Sequence, residues 1–145
     1  MTASHTGGCR CGAVRFETAA EPVHVSYCHC ADCRHASGAP VSAFVGFPAD
    51  AVTFGGEAPR TYVNGPVTPS FCGSCGSPIA YVDSRIGATI YFMLGAMDAP
   101  QDFRPTLHAY VREQLPFLHM PDGLPRHVKS SVTRDEDPTA DGMPS

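Results

Sequence analysis

Apolar and polar residues alternate in short runs along most of the chain. This two-residue period is typical of half-buried β-strands, in which successive side chains point to opposite faces of a sheet. Glycine, proline and asparagine separate the runs, and Asn64-Gly65-Pro66 predicts a hairpin turn between two of them. The pattern predicts strands at residues 13–17, 23–27, 41–47, 51–54, 60–63, 67–71, 78–82, 89–94 and 106–111.

Helical periodicity is confined to one short segment. The sequence predicts a single helical turn over residues 31–37, ended by Gly38 and prevented from continuing by Pro40. No window of about 12 or more residues carries the apolar stripe of an amphipathic helix. We therefore predict a mostly β fold, with its strands in two or more small packed sheets.

The two ends of the chain lack this pattern. Residues 1–7 are small and polar, which predicts a frayed arm. From Arg126 onward the apolar residues thin out, and Asp135-Glu136-Asp137-Pro138 is typical of a disordered segment. We predict one domain over residues 1–125 and a flexible C-terminal tail over residues 126–145.

Composition and charge exclude several classes of partner. Fourteen glycines and 14 prolines in 145 residues exceed the average usage of about 12% for the two together, which favours short strands and many turns. The formal net charge is −4 and Lys129 is the single lysine, so no basic run is present for binding nucleic acid. No apolar run approaches the ~20 residues of a membrane helix, and no signal peptide is recognisable. We expect a protein of the reducing cytoplasm, without a nucleic-acid or membrane partner.

The cysteines fall into three clusters, and their spacing is typical of metal ligands rather than of a disulfide framework. Zinc takes four protein ligands in a closed structural site and commonly three in a catalytic site. Glycines follow two of the clusters, at Gly12 and Gly76, and allow the positive φ of a cysteine knuckle. These flanks predict a closed site formed by Cys9, Cys11, Cys72 and Cys75, and an open site formed by Cys28, Cys30 and Cys33.

The open site suggests zinc chemistry with a sulfur substrate, because a zinc ion held by three thiolates is a soft centre that suits a further sulfur ligand. Arg34 is the candidate for anchoring a carboxylate of a thiol substrate, and His35 or Asp32 for moving a proton. The competing interpretation is a second structural site completed by His24, His29 or His35, with Arg34 and His35 as ordinary surface residues.

Other polar and aromatic residues are expected to serve the fold. His29 lies between two ligands in sequence and should point away from the metal, and His108 should be a strand residue. Tyr91, Phe92 and Tyr110 are expected in the core.

With its cysteine pattern placed, the chain resembles the family of glutathione-dependent formaldehyde-activating enzymes, which includes centromere protein V and has the Mss4-like β fold. The resemblance covers roughly residues 7–125. The segments that carry it are residues 8–16, residues 28–34 with 37–40, and residues 71–79, with a weaker likeness over residues 105–108 and 115–125.

The resemblance implies small packed antiparallel sheets with zinc knuckles, and two zinc ions per chain. It implies a structural zinc at Cys9, Cys11, Cys72 and Cys75 and a catalytic zinc at Cys28, Cys30 and Cys33. It also implies a carbon–sulfur lyase that acts on adducts of a small thiol, such as glutathione, with formaldehyde or another aldehyde. The alternative is a zinc-stapled binding module without catalysis, since the same fold also serves interaction proteins.

The chain departs from many relatives in having no tryptophan. Tyr110 and Phe117 stand in the region where the family often has one, which concerns the substrate pocket and not the fold.

Overall fold

A computed structural model describes residues 4–132 of the chain. The ten strands are β1 (His5–Gly8), β2 (Val14–Thr18), β3 (His24–Cys28), β4 (Ser42–Pro48), β5 (Val52–Gly56), β6 (Arg60–Thr61), β7 (Val67–Phe71), β8 (Pro78–Asp83), β9 (Thr89–Met93) and β10 (His108–Ala109). The α-helix is α1 (Ala31–Ser37), and short 3₁₀ turns lie at Ala49–Ala51, Leu94–Ala96, Pro100–Asp102 and Val111–Glu113. None of these helices is long and apolar enough to cross a membrane.

The strands form two sheets. The small sheet has the order β1-β2-β5, and the large sheet has the order β10-β3-β4-β9-β8-β7-β6. All neighbouring strands are antiparallel except β10 and β3, which are parallel. The prediction of a mostly β fold with small packed antiparallel sheets is confirmed.

The main core lies between the two sheets. Phe16 of β2 stacks on Phe92 of β9, with ring centroids 3.9 Å apart and ring planes 17° apart. Both rings are buried, as are Val45 and Phe47 on the same face of β4. Because side chains alternate along a strand, Phe44 and Tyr91 point to the opposite face of the large sheet, where they form a second apolar cluster with Cys28. One sheet therefore has a core on one face and a candidate site on the other.

The pattern placed most elements correctly. The structure confirms α1 at its predicted bounds, β7 at its predicted bounds, and the hairpin at residues 64–66, where Asn64 and Val67 are paired between β6 and β7. The prediction of a strand over residues 106–111 is correct for two residues and wrong for the other four. The strand is cut to His108–Ala109 because Tyr110 has a left-handed backbone with φ of 56°.

The expected frayed N-terminal arm and the expected C-terminal bound of the domain at residue 125 both differ from the structure. Residues 5–8 form β1, paired along its length with β2, where a frayed arm was expected. The ordered contacts also extend beyond residue 125, because His127 N–H donates to the His108 carbonyl and Tyr110 N–H to that of Lys129. Residues 126–132 therefore pack as part of the domain. The rest of the predicted tail lies outside the described residues.

Candidate metal centres

Four cysteines from two turns converge on one point. Cys9 and Cys11 lie between β1 and β2, and Cys72 and Cys75 lie between β7 and β8. Their four sulfurs lie within 4.8 Å of one another, with Cys9 to Cys11 at 3.5 Å and Cys11 to Cys72 at 3.7 Å. A tetrahedral zinc ion with Zn–S bonds of about 2.3 Å needs sulfurs about 3.8 Å apart. The cluster therefore fits a closed metal site that ties the small sheet to the large one.

Backbone N–H groups favour the thiolate form in this cluster. Val14 N–H donates to the Cys9 sulfur at 3.3 Å, and this hydrogen bond lowers the pKa of Cys9. The Ser77 hydroxyl, 3.1 Å from the Cys75 sulfur, is the main cause that lowers the pKa of Cys75 to about 5. Gly12 has φ of 82° and Gly76 φ of 78°, as the knuckle prediction required. The turns thus favour the thiolate form at Cys9 and at Cys75.

The other three cysteines form a second cluster around the start of α1. Cys28 ends β3, Cys30 is the N-cap of α1, and Cys33 lies in its first turn. Their sulfurs also lie within 4.8 Å of one another, and the sulfurs of Cys28 and Cys33 are 3.4 Å apart. Cys33 N–H donates to the Cys30 sulfur at 3.2 Å, as in an ordinary helix cap. The helix thus fixes two of the three ligands.

The three thiols are not equivalent. Hydrogen bonds from Cys28 and Cys33 lower the pKa of Cys30 to about 3, with a smaller contribution from the Cys33 N–H. The same sharing raises the pKa of Cys28 to about 12 and raises that of Cys33. Within the cluster the thiolate form is therefore favoured most at Cys30, and a divalent ion that binds all three sulfurs must displace the protons that they carry.

No fourth histidine, cysteine, aspartate or glutamate of residues 4–132 completes this cluster. His24 Nε2 lies 3.1 Å from the Ser131 hydroxyl, and His29 Nε2 lies 2.9 Å from His108 Nδ1. His35 is exposed on α1 and lines the adjacent cleft. The structure thus gives no support to a second four-ligand site completed by one of these histidines.

The three-cysteine cluster opens onto a cleft of about 660 Å³, whereas Cys9, Cys11, Cys72 and Cys75 lie outside its lining. Helix α1 and strands β7 and β8 supply most of its walls, which are largely apolar. The apolar and aromatic lining includes Phe44, Tyr62, Phe71, Tyr81, Met93 and Tyr110, and the polar lining includes Asp32, His35, Asn64, Asp83, Arg85 and Glu113. A cleft of this size and lining is typical of small-molecule sites.

Two of the predicted polar site residues line this cleft and one does not. Asp32 and His35 are part of the wall, and the Asn64 side-chain amide donates to Asp32 at 3.3 Å. Arg34 lies on the same helix but is absent from the lining, and its Nε is buried without a hydrogen-bond partner. Arg85 is the arginine that lines the cleft. Nothing in the sequence singled out Arg85, because it lies about 50 residues from the three cysteines of the cleft.

Tyr110 is the described non-glycine residue with positive φ, and it belongs to the cleft rather than to the core. It is half-buried and, like Cys30 and Cys33, packs against the cluster of Cys28, Phe44 and Tyr91. A left-handed backbone on an aromatic residue costs about 1–3 kcal/mol and is typical of functional sites. Tyr91 and Phe92, by contrast, are buried as predicted.

His29 and His108 are fully buried behind the three-cysteine cluster. His108 Nε2 lies 2.8 Å from a carboxylate oxygen of Asp122, so the two histidines and Asp122 form a continuous chain. Burial, followed by the charge of His108, lowers the pKa of His29 to about 4. His29 therefore points away from the sulfurs, as predicted, and His108 is a strand residue as expected.

Comparisons with known proteins agree with this architecture. A family model described as glutathione-dependent formaldehyde-activating enzyme matches residues 4–113. The crystal structure of a Rhodobacter sphaeroides protein is similar in fold, with 22% sequence identity and a TM-score of 0.53, over 67% of this chain and 93% of that one. A search of curated proteins finds no match. Because the family model spans well over half of the 145 residues, the chain belongs to the family of glutathione-dependent formaldehyde-activating enzymes.

Proposed function

We propose that this protein is a zinc-dependent carbon–sulfur lyase of the cytoplasm that makes or breaks adducts of a small thiol, such as glutathione, with formaldehyde or another aldehyde. The observation that carries the proposal is the difference between the two cysteine clusters. One has four sulfurs and lies away from the cleft, while the other has three and lines it. We assign a structural zinc to the first and a catalytic zinc to the second.

The chemistry is a reversible addition. In the forward direction a C–S bond forms between the thiol sulfur and the carbonyl carbon, and the thiol proton ends on the carbonyl oxygen. In the reverse direction the C–S bond breaks and the hydroxyl proton returns to sulfur. A zinc ion held by Cys28, Cys30 and Cys33 would supply a soft centre for the substrate sulfur.

The residues of the cleft have distinct tasks in this proposal. His35 is exposed, lines the cleft and follows Cys33 by two residues, so it is the candidate that moves the proton between sulfur and oxygen. Asp32 is the alternative, and its hydrogen bond from Asn64 holds it at the wall. For anchoring a substrate carboxylate we now favour Arg85, which lines the cleft, over Arg34, which does not.

The apolar wall has a separate role. Tyr81 stacks on Tyr91, with ring centroids 5.1 Å apart, and meets Phe44 edge to face at 5.0 Å. Rings held in this way form a rigid surface that excludes water from one side of the cleft. Exclusion of water strengthens the electrostatic contacts of a bound thiol and protects the adduct.

The proposal is tested by following thiol–formaldehyde exchange by NMR with ¹³C-formaldehyde and a panel of thiols. The zinc-loaded wild type should accelerate exchange above the spontaneous rate for at least one thiol. Cys30→Ser should abolish the acceleration while keeping the zinc of the four-cysteine cluster. Equal exchange rates with wild type, with Cys30→Ser and without protein would refute catalysis and favour the binding-module alternative.

A further inference from the structure

Three side chains connect the surface to the loop that carries the open metal site. Asp122, whose side chain is 33% exposed, contacts Nε2 of His108 at 2.8 Å, and Nδ1 of His108 contacts Nε2 of His29 at 2.9 Å. Both imidazoles have no exposed surface. His29 lies between Cys28 and Cys30 in sequence, so this series of contacting side chains ends within the loop that carries the three cysteines.

The donors and acceptors available on Asp122, His108 and His29 determine which atom donates in each of the two hydrogen bonds. An ionised Asp122 carboxylate only accepts, so His108 must donate from Nε2. Nδ1 of neutral His108 then carries a lone pair and accepts from Nε2–H of His29. His29 Nδ1 is left as an acceptor, which agrees with its having no hydrogen-bond partner. With both imidazoles neutral, each contact forms in one sense only, and the carboxylate then determines the tautomer of both rings.

The contacts around the chain leave His29 little freedom. His108 is held by stacking on Tyr27, with ring centroids 4.8 Å apart. The backbone of the loop is tied in parallel, because His29 N–H donates to the Ala109 carbonyl at 3.1 Å. Asp122 is held by the Leu124 N–H, which donates to its other carboxylate oxygen at 3.1 Å. The hydrogen-bonded series of side chains from Asp122 to His29 is therefore anchored at both ends.

His29 separates Cys28, the last residue of β3, from Cys30, the N-cap of α1, so a rotation of the backbone at His29 would move the two sulfurs relative to each other. We propose that Asp122 and His108 are positioning residues for the open metal site: through His29 they hold Cys28 and Cys30 in the arrangement that binds the metal. This inference rests on the proposed zinc site in that cluster. Hydrogen-bonded partners behind metal ligands typically change metal affinity by about 10- to 100-fold when removed.

The test compares Asp122→Ala and His108→Leu with wild type, loaded with zinc and separately with cobalt(II). Asp122→Asn is the conservative variant, because its side-chain oxygen can still accept from Nε2–H of His108. Thr18→Val is the matched control, since it removes a hydrogen bond from β2 of the small sheet to the Ala51 carbonyl, and the small sheet carries none of the three cysteines. The measurements are the rate of zinc loss to a chromogenic chelator and the cobalt–thiolate absorption bands.

We expect Asp122→Ala and His108→Leu to lose one of two zinc equivalents on the order of 10- to 100-fold faster than wild type, and to shift the cobalt bands of that site. Asp122→Asn should retain most of the wild-type behaviour, and Thr18→Val should lower the melting temperature without changing either readout. Unchanged zinc release and cobalt bands in Asp122→Ala would overturn the proposal, and this surface variant gives the answer even if His108→Leu does not fold. Neither readout requires turnover, so failure of the proposed enzymatic function is detected separately.

Discussion

The guanidinium of Arg85 makes two hydrogen bonds to the carboxylate of Asp83, from Nε at 3.0 Å and from Nη2 at 2.9 Å. The Asp83 side chain has no exposed surface, while that of Arg85 is 19% exposed at the cleft. A guanidinium recognises carboxylates through paired hydrogen bonds, and the buried carboxylate of Asp83 fixes the plane of this one. The ion pair therefore fixes the orientation of an arginine in a largely apolar wall.

Replacing Arg85 by lysine should weaken binding of carboxylate-bearing thiols. Lysine keeps the charge near Asp83 but loses the fork, and a hydrogen bond to a charged group contributes about 1.5–3 kcal/mol. We expect Arg85→Lys to raise KM for glutathione about tenfold. KM for 2-mercaptoethanol, which has no carboxylate, should stay unchanged, as measured by the NMR exchange assay.

Arg34→Lys is the matched control for this prediction, because Arg34 lies on α1 outside the cleft lining. It should leave KM for both thiols near wild type. A larger effect of Arg34→Lys than of Arg85→Lys on glutathione would return the anchoring role to Arg34.

Loss of a ligand should have different consequences in the two cysteine clusters. Structural zinc binding contributes roughly 10–16 kcal/mol to the folding of small zinc domains, which is as large as the whole stability of a typical domain. Cys75→Ser should therefore unfold the protein or lower its melting temperature sharply. Cys30→Ser should keep a cooperative melt and about one zinc per chain. Zinc analysis with thermal circular dichroism measures both, and equal destabilisation by the two variants would contradict the division into structural and catalytic sites.

The sequence predicted those parts of the fold that rest on local pattern. Residues 67–71 have the alternating pattern of a strand and are flanked by turn-forming residues, and they form β7 at the predicted bounds. Residues 5–8 contain two glycines and no apolar side chain, so their pairing with β2 had no local signal. The strand expected at 106–111 had the right composition, but the left-handed backbone of Tyr110 is set by tertiary contacts that override propensity.

The same distinction applies to the candidate site. Ligands that are close in sequence, such as Cys28, Cys30 and Cys33, could be grouped from spacing alone, and the structure brings them together. Arg85 follows β8 and Asn64 lies between β6 and β7, and these strands belong to the same large sheet as β3, which ends at Cys28. No periodicity in a single sequence reports which distant segments share a sheet face. Arg34 was chosen for its proximity in sequence, which does not determine the direction of a helical side chain.

Replacing Gly7 by alanine should test whether β1, which the sequence did not predict, packs as the structure shows. A Cβ atom there would overlap the ring of Phe16 and the carbonyl oxygen of Ala96, neither of which is the end of a flexible chain. Overpacking of this kind costs about 1–3 kcal/mol. We expect Gly7→Ala to lower the free energy of unfolding by that amount in urea titrations.

Gly55→Ala is the control for Gly7→Ala. Gly55 also lies in the small sheet, on β5, but a Cβ atom there meets nothing within 4 Å and its φ is not positive. Its unfolding midpoint should match or exceed that of the wild type. If both variants behave alike, β1 does not pack on Phe16 as described.

The stability of the protein should depend on the protonation of His24. Burial, followed by the charge of His127, lowers the pKa of His24 below its ordinary value of 6.5. The unfolded chain then binds a proton more readily than the folded one, so stability is unaffected above about pH 6.5 and falls as the pH decreases from there to the lowered pKa.

His24→Gln, which can still bond to the Ser131 hydroxyl, should lose less stability between pH 7.5 and pH 5.5 than the wild type. Urea midpoints of both proteins at the two pH values give the difference, in which acid effects on the zinc thiolates cancel because they are common to both. An identical pH dependence in the two proteins would show that the pKa of His24 is the same in the folded and unfolded states.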